Sequence, residues 1–265
     1  MPVYEHEVFI PLEPEAILWR YLDIEKFKSL LETKSLFFCR ADKFSDPFEG
    51  SVPRKEAEYR IQADKLASQQ LGREFNEGKA KENSDSTGRL HRSLKQSTIV
   101  NCWHINENES DAMWRLYLKD NEGVAIQTTA VRMIKAIEEI PDKIGISKIR
   151  YIDYENGAWY HPIDYPHRHY NLYMPLVHKR NEFKHENEFR LLIDIDEAVH
   201  DNQYWETQPN HKGKLIPVNL DTLIEKVYLP PTADEHTSAL IKKVAEDLKF
   251  NLNFVQSKLS SEPFY

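Results

Sequence analysis

The chain has 265 residues, of which 40% are hydrophobic and 29% charged, and its formal net charge is -8 at pH 7. A chain of this length can bury an adequate core without disulfides or metal ions, and its acid excess argues against duplex DNA as a partner, which normally needs a basic stripe. The mean hydropathy of -0.65 and the lack of a long apolar run predict no membrane-spanning helix and no membrane partner.

The glycine and cysteine patterns exclude several standard sites. The 8 glycines form no P-loop, no dinucleotide fingerprint and no nucleophile elbow. Cys39 and Cys102 are too few for a disulfide framework or a four-cysteine zinc site, which predicts a reducing, cytoplasmic location. Any activity must therefore come from other motifs.

Residues 16–40 predict a strand, a helix and a second strand. Ile17–Tyr21 is a short apolar and aromatic run that is typical of a strand. Asp23 can cap the helix that follows. Ser35–Cys39 then predicts a buried strand because it is short and rich in aromatic residues.

Residues 41–52 predict an irregular loop, because Pro47 disfavours helical backbone at the residue before it. Residues 53–95 contain 10 basic and 7 acidic residues and few large apolar ones. They predict a helical insertion on the surface, as one helix or two, with a flexible break within Asn76–Gly88. Such a surface offers a site for a protein partner.

The rest of the chain alternates strands and helices, so we predict a single α+β domain over residues 1–265. It has a mixed twisted sheet, flanking helices and the helical insertion. Residues 167–183 are predicted to be helical with a break near Pro175. Other helices are predicted from Ser110, from residue 130 and after Thr232, and strands at 97–103, Gly123–Thr128, Ile146–Tyr154, Phe189–Ile195, Lys214–Val218, Lys226–Leu229 and Leu252–Val255.

The loop SDPFE is the most unusual short stretch. It places Asp46 and Glu49 in a rigid turn beside Phe44 and Phe48. Carboxylates next to apolar rings can have raised pKa values and act as catalytic acids or bases. The alternative is that both carboxylates cap local turns and the phenylalanines belong to the core.

The segment ENEFR contributes a second pair of carboxylates. If the strand extends back to Glu186, the two-residue period puts Glu186, Glu188 and Arg190 on one face, with Phe189 on the other. Such a charged face either lines a cleft or faces water.

The predicted helix DAMWRLY carries aromatic residues and one cation. Trp114 and Tyr117 are either core residues or contacts for a ligand. Arg115 lies beside the apolar face, and if it is partly buried it needs one of the four carboxylates above as a partner.

A loop rich in histidine is a weaker candidate site. His161, His167 and His169 could bind a metal ion, although no carboxylate or cysteine stands at a matching interval. The alternative is a surface segment rich in tyrosine and histidine.

Five motifs in order resemble one known family. They are Trp19-Arg20-Tyr21, LFFCRADKFSDPFEG, VNCW, DAMWRLYLKDNEGVAI and the run from Lys179 to EFRLL, and they span about residues 16–195. Together they resemble the bacterial domain-of-unknown-function family twenty-nine seventy-one. The resemblance implies a shared fold and pocket but no activity. Phe183 stands where the family is expected to have a tryptophan, which keeps an apolar wedge.

The plan of the chain is also similar to that of ADP-ribosyltransferases. Arg20 lies on an early strand, and Glu188 stands where those enzymes carry a late glutamate. The resemblance implies that Arg20 holds the pyrophosphate of NAD through a bidentate contact. It also implies that Glu188 stabilises the ribosyl cation.

Three functions follow as hypotheses. The first is an enzyme that handles a small nucleotide or NAD, and a second is a magnesium-dependent phosphodiesterase, because grouped carboxylates hold magnesium. The third is a non-enzymatic interaction module in which the same motifs form a structural ion-pair network. For the enzyme, the candidate catalytic residues are Glu188, Glu186, Asp46 and Glu49, and the candidate ligand-binding residues are Arg20, Arg115, Trp114, Tyr117 and Arg190.

Overall fold

Strands and helices alternate along the chain, which confirms the predicted α+β class. The computed structural model describes residues 2–118, 122–160, 171–195 and 211–263. The strands are β1 (Ile17–Asp23), β2 (Ser35–Arg40), β3 (Thr98–Ile105), β4 (Gly123–Thr129), β5 (Ile144–Lys148), β6 (Arg150–Ile152), β7 (His178–Arg180), β8 (Glu188–Asp194), β9 (Gly213–Pro217), β10 (Lys226–Leu229) and β11 (Phe254–Gln256). The helices are α1 (Ile24–Thr33), α2 (Arg54–Gln70), α3 (Glu77–Ser97), α4 (Asp111–Tyr117), α5 (Ala130–Ala136), α6 (Leu220–Leu223) and α7 (Glu235–Asp247).

A nine-stranded mixed sheet forms the centre of the described structure. Its main path runs β11-β10-β4-β1-β3-β2-β9, and β8 pairs with β3 and carries β5 on its other edge. The β10–β11 pair is parallel, and the other pairs of this sheet are antiparallel. β6 and β7 form a separate parallel pair. No helix in the described ranges is long and apolar enough to cross a membrane.

Strand β3 pairs with one strand along one edge and with two strands along the other. One edge pairs with β8 along residues 98–104. On the other edge, β1 pairs at His104 and Ile105, and β2 pairs at Ile99 and Val100. Because β1 and β2 diverge between these points, the sheet splits open beside the middle of β3.

Helix α1 begins where the sequence predicts. The Asp23 carboxylate accepts the backbone N–H of Lys26 at 2.8 Å, which satisfies a donor of the first turn. Its apolar face buries Phe27, Leu30 and Leu31, spaced so that they share one side of the helix. This face joins the largest hydrophobic core of the structure.

The insertion between β2 and β3 consists of α2 and α3. The flexible break predicted within Asn76–Gly88 is wrong, since α3 runs through Gly88. The interruption falls at residues 71–76 because the Asn76 side chain caps α3 by accepting the backbone N–H of Lys79 at 2.9 Å. Gly72 takes the left-handed backbone of the turn with φ of 62°.

The predicted helix over residues 167–183 is also wrong for the part that the structure describes. Met174–Leu176 is one 3-10 turn, and Asn181–Glu186 is another. Strand β7 lies between them and pairs with β6. The tertiary pairing overrides the local pattern here, and it turns the side chain of Lys179 toward the interior.

Candidate functional site

A cavity of about 290 Å³ opens where β1 and β2 separate. Its walls come from β1, β2, β3, α4, the SDPFE loop and the segment from β7 to β8. Residues that are far apart in the sequence, from Trp19 to Arg190, therefore meet in one place. Of the candidate residues, those that line it are Arg20, Asp46, Glu49, Tyr117, Glu186, Glu188 and Arg190.

The ammonium of Lys179 is buried among three carboxylates. Its Nζ atom lies 2.9 Å from Glu49 Oε1, 2.6 Å from Glu186 Oε2 and 2.8 Å from Glu188 Oε1. The Lys179 side chain is only 6% exposed. Sequence reasoning places Lys179 in a motif but does not predict it as a site residue, because its partners lie on other elements.

Arg190 completes the cluster and lies on β8, two residues after Glu188. Its Nε donates to Glu188 Oε2 at 2.6 Å, and its Nη2 donates to Glu49 Oε2 at 2.6 Å. Its Nη1 donates to the backbone carbonyl of Leu176 at 3.1 Å. Both oxygens of Glu49 and both oxygens of Glu188 are therefore held by cations.

The cluster contains three carboxylates but two cations, so its charge balances only if one proton is kept. Burial and a hydrogen bond to Glu188 raise the pKa of Glu186 to about 8. Burial alone would raise the pKa of Glu188 too, but Arg190, Lys179 and the hydrogen bond from Glu186 hold it well below its usual range. At neutral pH, Glu186 is the protonated member.

Glu186 reaches the cavity from a turn and not from a strand. The expected extension of the strand back to Glu186 is wrong, because β8 begins at Glu188. Asn187 has left-handed backbone with φ of 36°, which an asparagine tolerates better than most residues. Its side chain donates to the Ile105 carbonyl at 2.6 Å and its own carbonyl accepts the Ile105 N–H at 2.9 Å. This pairing fixes the turn.

Asp46 shapes the SDPFE loop and also carries an ion pair. Its Oδ1 accepts the backbone N–H of Phe48 at 3.1 Å, as a turn-capping residue would. The guanidinium of Arg180 lies 2.9 Å from Oδ1 and 3.0 Å from Oδ2. That guanidinium also lies over the rings of Phe48 and Phe183, at 4.7 and 5.4 Å from their centroids. Phe183 thus remains an apolar wedge beside the cavity.

Arg20 faces the same cavity without a carboxylate. Its Nη1 donates to the Cys102 carbonyl at 2.7 Å, in the gap where neither β1 nor β2 pairs with β3. Its guanidinium lies 5.7 Å from the centroid of the Trp103 ring. In the described ranges no acidic side chain lies within ion-pair distance of it, so its charge and its remaining N–H donors are available to an anion.

His104 is a functional candidate that sequence reasoning missed. Its Nδ1 lies 2.6 Å from the Glu186 carbonyl, which assigns the proton to Nδ1 and leaves Nε2 as an acceptor. Nε2 is buried and has no hydrogen-bond partner among the described residues. Burial lowers the pKa of His104, so it is neutral at pH 7. His104 lies directly after the residues of β3 that pair with neither β1 nor β2. No local sequence pattern predicts that gap in the pairing.

Two residues of α4 lie away from the cavity lining. Trp114 is buried, donates from Nε1 to Glu109 Oε2 at 2.9 Å and packs on the Tyr21 ring. The expectation that Arg115 is partly buried and pairs with a site carboxylate is wrong. Its side chain is 80% exposed and pairs with Asp111 at 2.9 Å. Trp114 and Met113 occupy the buried face of this short helix, which turns Arg115 outward.

The carboxylate cluster does not fit a magnesium ion. The point on which Glu49, Glu186 and Glu188 converge is filled by the ammonium of Lys179, whereas magnesium needs free oxygen ligands in octahedral geometry. Within the described parts of the chain, no group of three or more metal-ligating side chains is found. His161, His167 and His169 lie outside the described residues.

The two glutamates should respond differently to amide substitution. Glu188→Gln leaves Lys179 and Arg190 short of a buried counter-charge and is expected to cost about 3–5 kcal/mol of unfolding free energy. Glu186→Gln mimics the protonated acid and is expected to cost less than about 1 kcal/mol at pH 7. Urea unfolding of both variants measures this difference, and equal losses would contradict the assigned protonation.

Stability should fall at alkaline pH because of Glu186. Since the pKa is raised to about 8 in the folded chain, the folded state binds more protons than the unfolded state between the two pKa values. The stabilisation is complete below the unfolded value and is lost as pH rises through about 8. We expect the Tm of the wild type to fall more between pH 7 and 9 than that of Glu186→Gln, measured by calorimetry. Parallel pH profiles of the two proteins would refute this.

Comparisons with known proteins find one family model that matches part of the chain. No curated protein and no solved structure matches the chain. A family described as protein of unknown function (DUF2971) has a model that matches residues 113–191. The match begins in α4 and ends in β8, so it contains Lys179, Glu186, Glu188 and Arg190, whereas Arg20 and the SDPFE loop precede it. Residues 113–191 are therefore similar to the DUF2971 family, which confirms the predicted resemblance for the two motifs that overlap this range.

Proposed function

We propose that the chain is an enzyme that binds a small phosphate-bearing nucleotide in the cavity and acts on it by acid–base chemistry. The observation that supports this most is Arg20, a cation without a carboxylate in the described structure, lining the same cavity as Glu186. A guanidinium in such a place binds phosphate through charge-assisted hydrogen bonds.

The space beside Arg20 suits a ligand larger than phosphate alone. A second cavity of about 630 Å³ shares Arg20, Lys26 and Phe37 with the first. Phe37 and Leu215 line it and are 43% and 47% exposed. Apolar surface next to a phosphate-binding cation is what a nucleoside needs, since its base contacts apolar and aromatic side chains.

In the proposed reaction Glu186 is the proton donor and His104 is the proton acceptor. Glu186 keeps its proton near neutral pH and can donate it to the leaving oxygen of the ligand. His104 lines the cavity, and its buried, neutral Nε2 has no partner in the described structure and can accept the proton of an attacking water. The oxygen of the water forms a bond to the ligand as His104 takes one of the water's protons. The bond to the leaving oxygen breaks as Glu186 gives its proton to that oxygen. The reaction is a hydrolysis.

The contacts of Glu188 bear on the ADP-ribosyltransferase hypothesis. Stabilising a ribosyl cation requires a carboxylate whose negative charge is free to act. Both Glu188 oxygens are instead paired with Lys179 and Arg190. The geometry therefore supports acid–base cleavage better than NAD ribosyl transfer, and release of nicotinamide from NAD distinguishes the two.

The pairing of the remaining charges fits the structural ion-pair network of the interaction-module hypothesis. Glu49, Lys179, Glu188 and Arg190 are buried and hold the SDPFE loop against β8. We assign these four residues to folding. The proposal of an enzyme rests on Arg20, Glu186 and His104 alone.

Substitution of Arg20 tests the phosphate site. Arg20→Met is expected to weaken binding of AMP, ADP, ADP-ribose or NAD about 10- to 100-fold, because a charge-assisted hydrogen bond contributes about 1.5–3 kcal/mol. Isothermal titration calorimetry measures the affinities. Arg115→Met is the matched control, since Arg115 is exposed outside the cavity. Equal affinities of the two variants would contradict the proposal that Arg20 forms a phosphate site.

Substitution of Glu186 tests the chemistry separately from binding. Glu186→Gln keeps the shape and hydrogen bonds of the protonated acid but has no proton to donate. With whichever nucleotide is bound and turned over, we expect turnover to fall by about 100-fold or more while affinity is retained. Chromatography of the products gives the rate. Unchanged turnover would refute the role of Glu186 as the acid.

A further inference from the structure

A groove of about 700 Å³ lies between α2, α3 and the loop that joins β2 to the insertion. The loop that supplies Asp46 and Glu49 to the cavity supplies Pro47 and Gly50 to this groove. The groove is thus separate from the cavity, and inferences about it do not depend on the proposed function.

Four cations line the groove. Arg89, Arg92 and Lys95 follow one another at intervals of three residues along α3, so they lie near one face of the helix. Arg60 of α2 also lines the groove, and Asp85 is the acidic residue of its lining. This concentration of positive charge contrasts with the net charge of -8 for the whole chain.

These three cations of α3 form no close ion pair within the described structure. None of them lies within ion-pair distance of a described carboxylate, whereas Lys81 on the same helix pairs with Glu77 at 2.8 Å. Arg89 and Arg92 are exposed and Lys95 is half-buried. Burial lowers the pKa of Lys95, although the nearby carboxylates of Glu49, Asp42 and Asp46 act in the opposite direction.

The SDPFE loop is shaped around Lys95. Gly50 has left-handed backbone with φ of 68°, and a Cβ atom there would lie 2.5 Å from Lys95 Cγ. The missing side chain lets the stem of Lys95 lie directly on the loop. Lys95 is thereby positioned at one end of the groove, with Arg92 and Arg89 following along the helix.

We propose that this groove binds a small anion with two or three linked phosphates. From Arg89 to Lys95 the helix rises about 9 Å at 1.5 Å per residue, which matches a short run of linked phosphates. A nucleic-acid strand would need cations along a longer track to gain comparable affinity. Arginine and lysine side chains without partners are the groups that bind such anions.

The test is calorimetric titration of the full chain with inorganic triphosphate. Arg89→Ala/Arg92→Ala is expected to raise the Kd at least tenfold. Lys79→Ala/Lys81→Ala is the matched control, because it removes the same charge from the same helix outside the groove lining, and it should change the Kd less than twofold. Arg20→Met should leave this Kd unchanged, which separates the groove from the cavity.

Three results would overturn the proposal. They are no binding of triphosphate by the wild type, equal weakening in the two double variants, and loss of triphosphate binding in Arg20→Met alone. A fourth arm uses a short single-stranded RNA of mixed sequence. If the RNA binds more tightly than triphosphate through Arg89 and Arg92, the groove is a nucleic-acid site and the small-anion proposal is wrong. Circular dichroism of each variant confirms that it is folded.

Discussion

The arrangement of the site depends on burying the ammonium of Lys179. An unpaired charge in the interior would cost several kcal/mol, so the fold must bring counter-charges to it. It does so from three elements: Glu49 from the SDPFE loop, Glu186 from a turn and Glu188 from β8. Because these carboxylates outnumber the nearby cations, one of them keeps a proton. The ion-pair network that holds the loop in place therefore also creates a group able to act as an acid.

The split in the central sheet supplies another part of the cavity wall. β1 and β2 compete for one edge of β3 and pair with different ends of it. The backbone groups between them need other partners, and Arg20 satisfies one of them at the Cys102 carbonyl. A cation thereby lines the same cavity as the carboxylate cluster. A ligand with an anionic part and a proton-accepting leaving group fits that charge distribution.

Charge is distributed unevenly over this acidic chain. The SDPFE loop presents its carboxylates to the cavity, and its backbone at Gly50 supports Lys95 in the groove of the insertion. The net charge of the whole chain argues against a partner such as duplex DNA, but it does not predict the charge of a local pocket. The helical insertion, which the composition identifies only as a surface element, carries one of these pockets.

Local features were predictable from the sequence because short-range physics determines them. The Asp23 cap, the apolar face of α1 and the two-residue period that puts Glu188 and Arg190 together all follow from neighbouring residues. The motifs in residues 113–191 were enough to predict the family whose model matches that range. Only the tertiary structure revealed the central role of Lys179, the unpaired Nε2 acceptor of His104 and the outward position of Arg115. These depend on contacts between distant segments, such as Glu49 with Lys179, and on which helix face the core occupies, and neither leaves a signal in the adjacent residues.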